Sequence, residues 1–228
     1  MPELLVSIRN AEEARIAKLG GANWIDVKEP RNGPLGKAED QVLEKIAIDN
    51  KLSKLSAAMG EIINYSNVSS YNFVLENYSL IKFGTSTADF PTIQQRLTEI
   101  ARNSQRSPNS IVLAAYADFK RAESPRPDLF PAFCTQEGIE YLLIDTFLKD
   151  NSHLFTWLSA QELSCIRGKC AKLGIKLALA GKLGVEYIPA LREIDPHIVG
   201  LRSAVCDDGI RDNSISLERI QFWKSQIT

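Results

Sequence analysis

The chain has 228 residues, 44% hydrophobic and 24% charged, with 27 basic against 28 acidic side chains and a net charge of −1. That length is ordinary for a single α/β barrel, and Lys and Arg spread evenly along the chain leave no basic stripe for nucleic acid or an anionic membrane. No apolar run approaches the ~18 residues of a membrane span, and Arg9 and Asn10 end the first apolar run too early for a signal peptide.

The four cysteines (Cys134, Cys165, Cys170, Cys206) form no CxxC pair, and His153 and His197 are the only histidines to complete a zinc set. The expectation is a cytoplasmic protein with reduced thiols, no metal and no organic cofactor. A homo-oligomer is compatible with the sequence.

In chain order, short runs rich in Val, Ile and Leu predict strands at 4–8, 24–28, 55–59, 80–84, 111–116, 141–146, 176–180 and 198–202. Amphipathic patterns between them predict helices over 11–19, 38–48, 67–76, 91–102, 131–137, 160–173, 185–193 and 216–225, with Gly20, Gly138 and Gly174 as C-caps. Eight βα units require a parallel sheet with right-handed crossovers and close into a TIM (β/α)8 barrel, one domain spanning 1–228. The rival is an open doubly wound sheet. It would carry a Gly-rich turn after the first strand, where this chain has Ser7-Ile8-Arg9-Asn10-Ala11.

Barrel chemistry sits at the carboxyl ends of the strands, so the residues there are the ones to examine. Strand two ends with Asp26 and Lys28, strand four with Lys82, and strand six with Asp145, followed by Lys149; strand five runs into Asp118. Residues i and i+2 share a face, so Leu80 with Lys82, and Leu143 with Asp145, point inward while their neighbours face the helices. Each acid and amine taken singly is equally consistent with an ion pair at a barrel rim. Three lysines and two aspartates at one mouth instead suggest a nucleophilic amine. A free lysine near pKa 10.4 is protonated at neutral pH, and burial beside other ammonium groups lowers that value. The aspartates would hold a neighbouring amine charged or carry protons once a Schiff base has formed.

Strands seven and eight end in Ala180-Gly181-Lys182 and Gly200-Leu201-Arg202-Ser203. Loops at these positions often bind phosphate, so Gly181, Lys182, Gly200, Arg202 and Ser203 are the candidate phosphate ligands, Arg202 by a bidentate contact. The plain alternative is that both glycines form tight turns. His153 reads as the polar start of a helix, His197 lies at the wrong end of the barrel, Cys206 reads as a buried thiol near the pocket, and Trp24, Trp157 and Trp223 read as packing.

The sequence resembles the (5-formylfuran-3-yl)methyl phosphate synthases of methanofuran biosynthesis over essentially its whole length. The resemblance is carried by LLVS at 4–7, GGANWIDVKEPRNGPLG at 20–36, IKFG at 81–84, LAAYAD at 113–118, LLIDTFLKD at 142–150, LALAG at 177–181 and VGLRSAVC at 199–206. It implies a TIM barrel that condenses two molecules of glyceraldehyde 3-phosphate into a furan aldehyde phosphate, releasing phosphate and water. It further implies that Lys28 is the Schiff-base lysine, Lys82 the proton acceptor, and Asp26, Asp145 and Lys149 the other active-site residues. The chain departs from the family pattern at Lys182, where a small residue is expected, and in the acidic stretch Asp207-Asp208-Gly209-Ile210-Arg211. Two other readings share the barrel: a class I aldolase or isomerase acting on another sugar phosphate, and a non-catalytic barrel that binds a phosphorylated metabolite.

Overall fold

The computed structural model describes residues 1–50, 53–65, 76–104 and 107–227. Strands β1 (Glu3–Ile8), β2 (Trp24–Val27), β3 (Lys54–Glu61), β4 (Leu80–Gly84), β5 (Ile111–Tyr116), β6 (Tyr141–Asp145), β7 (Lys176–Leu179) and β8 (Ile198–Leu201) pair in chain order, each parallel to the next. β8 returns to pair with β1, so the sheet closes and has no free edge. That closure rules out the open doubly wound alternative. Strand bounds follow the sequence expectation to within a residue or two, and the helix expected over 67–76 lies outside the described residues apart from Glu76.

Alternation along each strand sorts the side chains into two separate apolar groups. Leu4, Val6 and Ile8 of β1, with Ile81, Phe83, Leu142 and Ile144, pack outward against the helices. Leu5, Trp24, Leu80, Val112, Leu143, Ala178 and Ile198 fill the barrel. Each fully buried large aliphatic side chain contributes roughly 1.5–3 kcal/mol of transfer free energy, so most of the drive to fold lies in the outer shell. At the amino-terminal end, Trp24 and Tyr141 meet edge to face with centroids 6.4 Å apart. The ammonium groups of Lys54 and Lys176 sit 5.3 Å from the Trp24 ring and 4.7 Å from the Tyr141 ring. This end is plugged, and only the carboxyl end can open into a site.

The helix Ala11–Leu19 starts where the Asn10 side chain accepts from Glu13 N at 2.9 Å. Gly138 and Gly174 take the left-handed φ expected of C-cap glycines, whereas at the end of the first helix it is Gly21, not Gly20, that does so. The expected 185–193 helix begins as a 3-10 turn, Val185–Tyr187, and continues as Ile188–Ile194. Trp24 and Trp223 are buried as packing residues, but Trp157 is 38% exposed beneath the Arg121 guanidinium, so it is not a core residue. No helix among the described residues is long and apolar enough to cross a membrane.

Candidate active site

The strand register puts Ser7 beside Asp26 and Asp26 beside Ser56, three inward-facing polar residues in one row. Asp26 is fully buried; its carboxylate accepts from Ser7 Oγ at 2.8 Å and from Ser56 Oγ at 2.7 Å, and pairs with Lys82 Nζ at 2.6 Å. Burial alone would raise its pKa, but Lys82 and Lys28 beside it and the Ser56 hydroxyl bring it below the usual aspartate value. Asp26 is therefore a fixed anion under the cavity floor.

A second pair stands at the end of β6. Lys149 Nζ donates to Asp145 Oδ1 at 2.7 Å and to the Thr146 carbonyl at 2.6 Å, while Thr146 N donates to the same carboxylate at 2.7 Å. Asp145 is buried, yet Lys149 and Lys28 hold its pKa low. Asp118 does not enter the cavity. It accepts from Phe147 N at 2.6 Å and Leu148 N at 3.1 Å, which fixes the loop carrying Lys149.

Lys28 lies between these two pairs. Its Nζ has no hydrogen-bond acceptor and no carboxylate within 4 Å among the described residues. Burial is the largest influence on it. Lys149 and Lys82 push the same way, Asp145 and Asp26 oppose them, and its pKa falls to about 7. At neutral pH about half of Lys28 is then the free amine, against roughly one part in 3,000 for a lysine at the ordinary value of 10.5.

Lys28, Lys82, Asp145 and Lys149 line one cavity of about 340 Å³, within the range of small-molecule sites. Gly181, Lys182, Gly200, Arg202 and Ser203 line it too. The backbone N–H groups of Gly181, Lys182 and Ser203 donate to no protein acceptor among the described residues. Gly181 has φ +106, which a side chain would strain, so that glycine does serve a turn. Gly200 lies within β8, not in a turn, and a Cβ there would sit 3.3 Å from Ala180 Cβ. Its value is the space it leaves at the cavity wall.

Arg202, expected as a bidentate phosphate ligand, has its guanidinium engaged within the chain. All five of its N–H donors are occupied within the chain: Nη1 on Ser7 O at 3.0 Å and Glu13 Oε2 at 2.6 Å, Nη2 on Glu13 Oε1 at 3.2 Å and Asn213 O at 2.9 Å, and Nε on Arg211 O at 2.8 Å. The bidentate fork is present, but its carboxylate is Glu13. Lys182 is exposed at the lip with a left-handed φ of 53, and its Nζ donates to Asp150 O at 3.1 Å.

His153 caps the short helix Leu154–Trp157 and shares a 2.8 Å hydrogen bond with Tyr187 Oη. His197 accepts from Leu177 N at 3.1 Å, at the far end of the barrel. Cys206 is fully buried, with its thiol pKa pushed up by burial, and it does not line the cavity. Among the described residues no three His, Cys, Asp or Glu side chains are grouped to hold a metal.

Several residues in the cavity wall or packed behind it escape a reading of lysines and aspartates. Ser7 and Ser56 obey the same parity rule as Asp26 and were legible in principle. Tyr116 donates to Glu61 Oε1 at 2.5 Å, and Glu61 Oε2 accepts from Ser86 N at 2.8 Å. Gly84 makes room for this pair, because a Cβ there would meet Tyr116 Oη at 2.2 Å. Glu13 and Arg211 carry no sequence signal, since each reaches the site from a helix or loop.

Residues 4–224 match the family model described as 4-HFC-P synthase. The (5-formylfuran-3-yl)methyl phosphate synthase of Methanosarcina mazei is 34% identical over 235 residues, covering 96% of each chain. Its counterpart in Methanocaldococcus jannaschii is 32% identical over 224 residues, covering 92% of each. Among solved structures, phosphoribosyl anthranilate isomerase from Thermotoga maritima superposes with a TM-score of 0.68 at 13% identity, covering 100% of this chain and 98% of its own, a likeness of fold alone. On the family match and the identity to its named relatives, this chain belongs to the (5-formylfuran-3-yl)methyl phosphate synthase family of enzymes.

Proposed function

We propose that this chain condenses two molecules of glyceraldehyde 3-phosphate into (5-formylfuran-3-yl)methyl phosphate through a Schiff base on Lys28, a lyase-type reaction that feeds methanofuran biosynthesis. The observation that carries this reading is Lys28 itself, an amine with a pKa of about 7, unpaired among the described residues, in a cavity between two Asp–Lys pairs.

In this reading Lys28 Nζ attacks the aldehyde carbon of the first molecule. Lys82, paired with Asp26, gives its proton to the departing hydroxyl, which leaves as water, and an iminium remains. Lys82 is now a neutral amine and takes the proton from the carbon next to the iminium, so one residue acts first as acid and then as base. The resulting enamine expels the phosphate from the adjacent CH2 group as inorganic phosphate, and the terminal carbon of the enol so formed adds to the carbonyl carbon of the second molecule, isomerised to its ketone, whose oxygen is protonated by Lys149, paired with Asp145. Closure of the second molecule's primary hydroxyl onto the first molecule's carbonyl, loss of two waters and hydrolysis from Lys28 complete the furan. One phosphate is held by the backbone N–H groups of Gly181, Lys182 and Ser203, with Gly200 leaving room for it and the Lys182 ammonium at the lip.

Borohydride reduction in the presence of glyceraldehyde 3-phosphate, followed by mass spectrometry, should place the adduct on Lys28, and Lys28→Arg should show none. Untreated enzyme should release a furan aldehyde that absorbs in the ultraviolet, together with free phosphate. An adduct without the furan would identify an ordinary class I aldolase. No adduct and no product would leave a phosphometabolite-binding barrel.

A further inference from the structure

The cavity holds a cation that the proposed chemistry does not use. Lys82 is neutralised by Asp26 and Lys149 by Asp145, but Arg211, which lines the same cavity, has no carboxylate within 4 Å among the described residues. Its Nη2 donates to the carbonyls of Pro30 at 2.8 Å and Gly33 at 3.4 Å, and its Nε and Nη1 donate to no acceptor among the described residues. A partly buried guanidinium without an anion is costly, and the cost is recovered when an anion arrives.

The position of Arg211 is built into the fold. Buried Glu13 accepts from Arg9 Nη2 at 2.6 Å and from Arg202 Nη1 at 2.6 Å, so one carboxylate locks two arginines. Those arginines hold three successive carbonyls of the loop after β8: Arg202 donates to Arg211 O and Asn213 O, and Arg9 to Asp212 O and Asn213 O. The loop cannot turn its backbone away, and from the other side the 3-10 turn Pro30–Asn32 supplies the carbonyl that steadies the side chain. The long block after Lys28 thus has a task beyond carrying the lysine.

We propose that Arg211 recognises the phosphate of the second substrate molecule, with Glu13, Arg202 and Arg9 as the clamp that positions it. This rests on the two-molecule condensation above, which requires two phosphate subsites; the loops after β7 and β8 provide the first. Arg202 is a positioning residue here, and Arg211 the contact.

Isothermal titration of the full chain with inorganic phosphate tests this without turnover. Wild type should bind two phosphates per chain, and Arg211→Gln should lose one, weakened by about tenfold or more, with the other unchanged. Two phosphates bound by Arg211→Gln at wild-type affinity would overturn the assignment. So would a wild type that binds only the phosphate Arg211→Gln retains, or loss of both from a variant that melts like wild type. Should Arg211→Gln not fold, Arg211→Lys decides: one of its two phosphates should loosen with the other unchanged, and wild-type affinities at both would refute the proposal. Borohydride trapping on Lys28 stays separate. Its failure would sink the Schiff-base reading while leaving the phosphate count to be judged alone.

Discussion

Replacing Lys28 by Met keeps the length and most of the volume of the side chain while removing an amine that folding disfavours. The folded pKa is about 7 and the ordinary value 10.5, so between these two values the unfolded chain binds the extra proton. Wild-type stability should therefore rise with pH across that window, and the penalty on the folded state is fully present below pH 7. Integrating the difference gives about 4 kcal/mol between pH 7 and pH 11, and solvent on the cavity side of Lys28 screens part of it, leaving roughly 2–4 kcal/mol. Groups away from the site titrate alike in both proteins and cancel in the difference. The quantity to measure is thus the stability difference, Lys28→Met minus wild type, from urea unfolding at half-unit pH steps. Met should be the more stable by that amount near pH 7, and its advantage should vanish by about pH 11. An advantage that does not change with pH would refute the reasoning, because it would mean that Lys28 titrates at the same pH folded and unfolded.

The rate of borohydride trapping in wild type should rise with pH around a midpoint near 7 as Lys28 loses its proton. Asp26→Asn should move that midpoint to lower pH, since Asp26 is one of the two carboxylates raising the Lys28 value, and should still permit trapping. A midpoint that moves upward would contradict the electrostatic account. The same substitution leaves the Lys82 ammonium buried without its partner, for a loss of about 3–5 kcal/mol in chemical denaturation. Gly84→Ala should cost roughly 1–3 kcal/mol and shift Tm accordingly, because its Cβ would fall 2.2 Å from Tyr116 Oη and 2.3 Å from Glu61 Oε2. If Tm is unchanged, the Tyr116–Glu61 bond is not packed as described.

Parity carried the sequence reading a long way toward the site. Asp26, Lys82 and Asp145 sit on strands, where a two-residue repeat assigns each side chain to the inside or the outside, and all three do face inward. The same rule applied to serine would have found Ser7 and Ser56. Arg202 shows where the rule stops. Its position at the end of strand eight placed it at the cavity, but the partner that captures its guanidinium, Glu13, lies 189 residues away on a helix, and no local pattern encodes that meeting. Lys182 is similar: its place in the loop was legible, whereas its left-handed φ of 53 was not.

The sequence by itself determined the order of elements, the count of strands, the inward row of acids and amines, and through its motifs the family. These follow from local periodicity and composition, which each segment carries without reference to the rest. Asp145 and Lys149 are four residues apart and pair locally, but the tertiary structure decided the pairings between residues distant in sequence. Closure of β8 onto β1 brings the first helix against the last loop, so Glu13 takes Arg202; across the barrel Lys82 takes Asp26, and Lys28 and Arg211 are left without a carboxylate among the described residues. Which amine is free to act depends on distances set by the closed barrel, because burial and Coulomb energies at these separations decide whether a lysine is protonated.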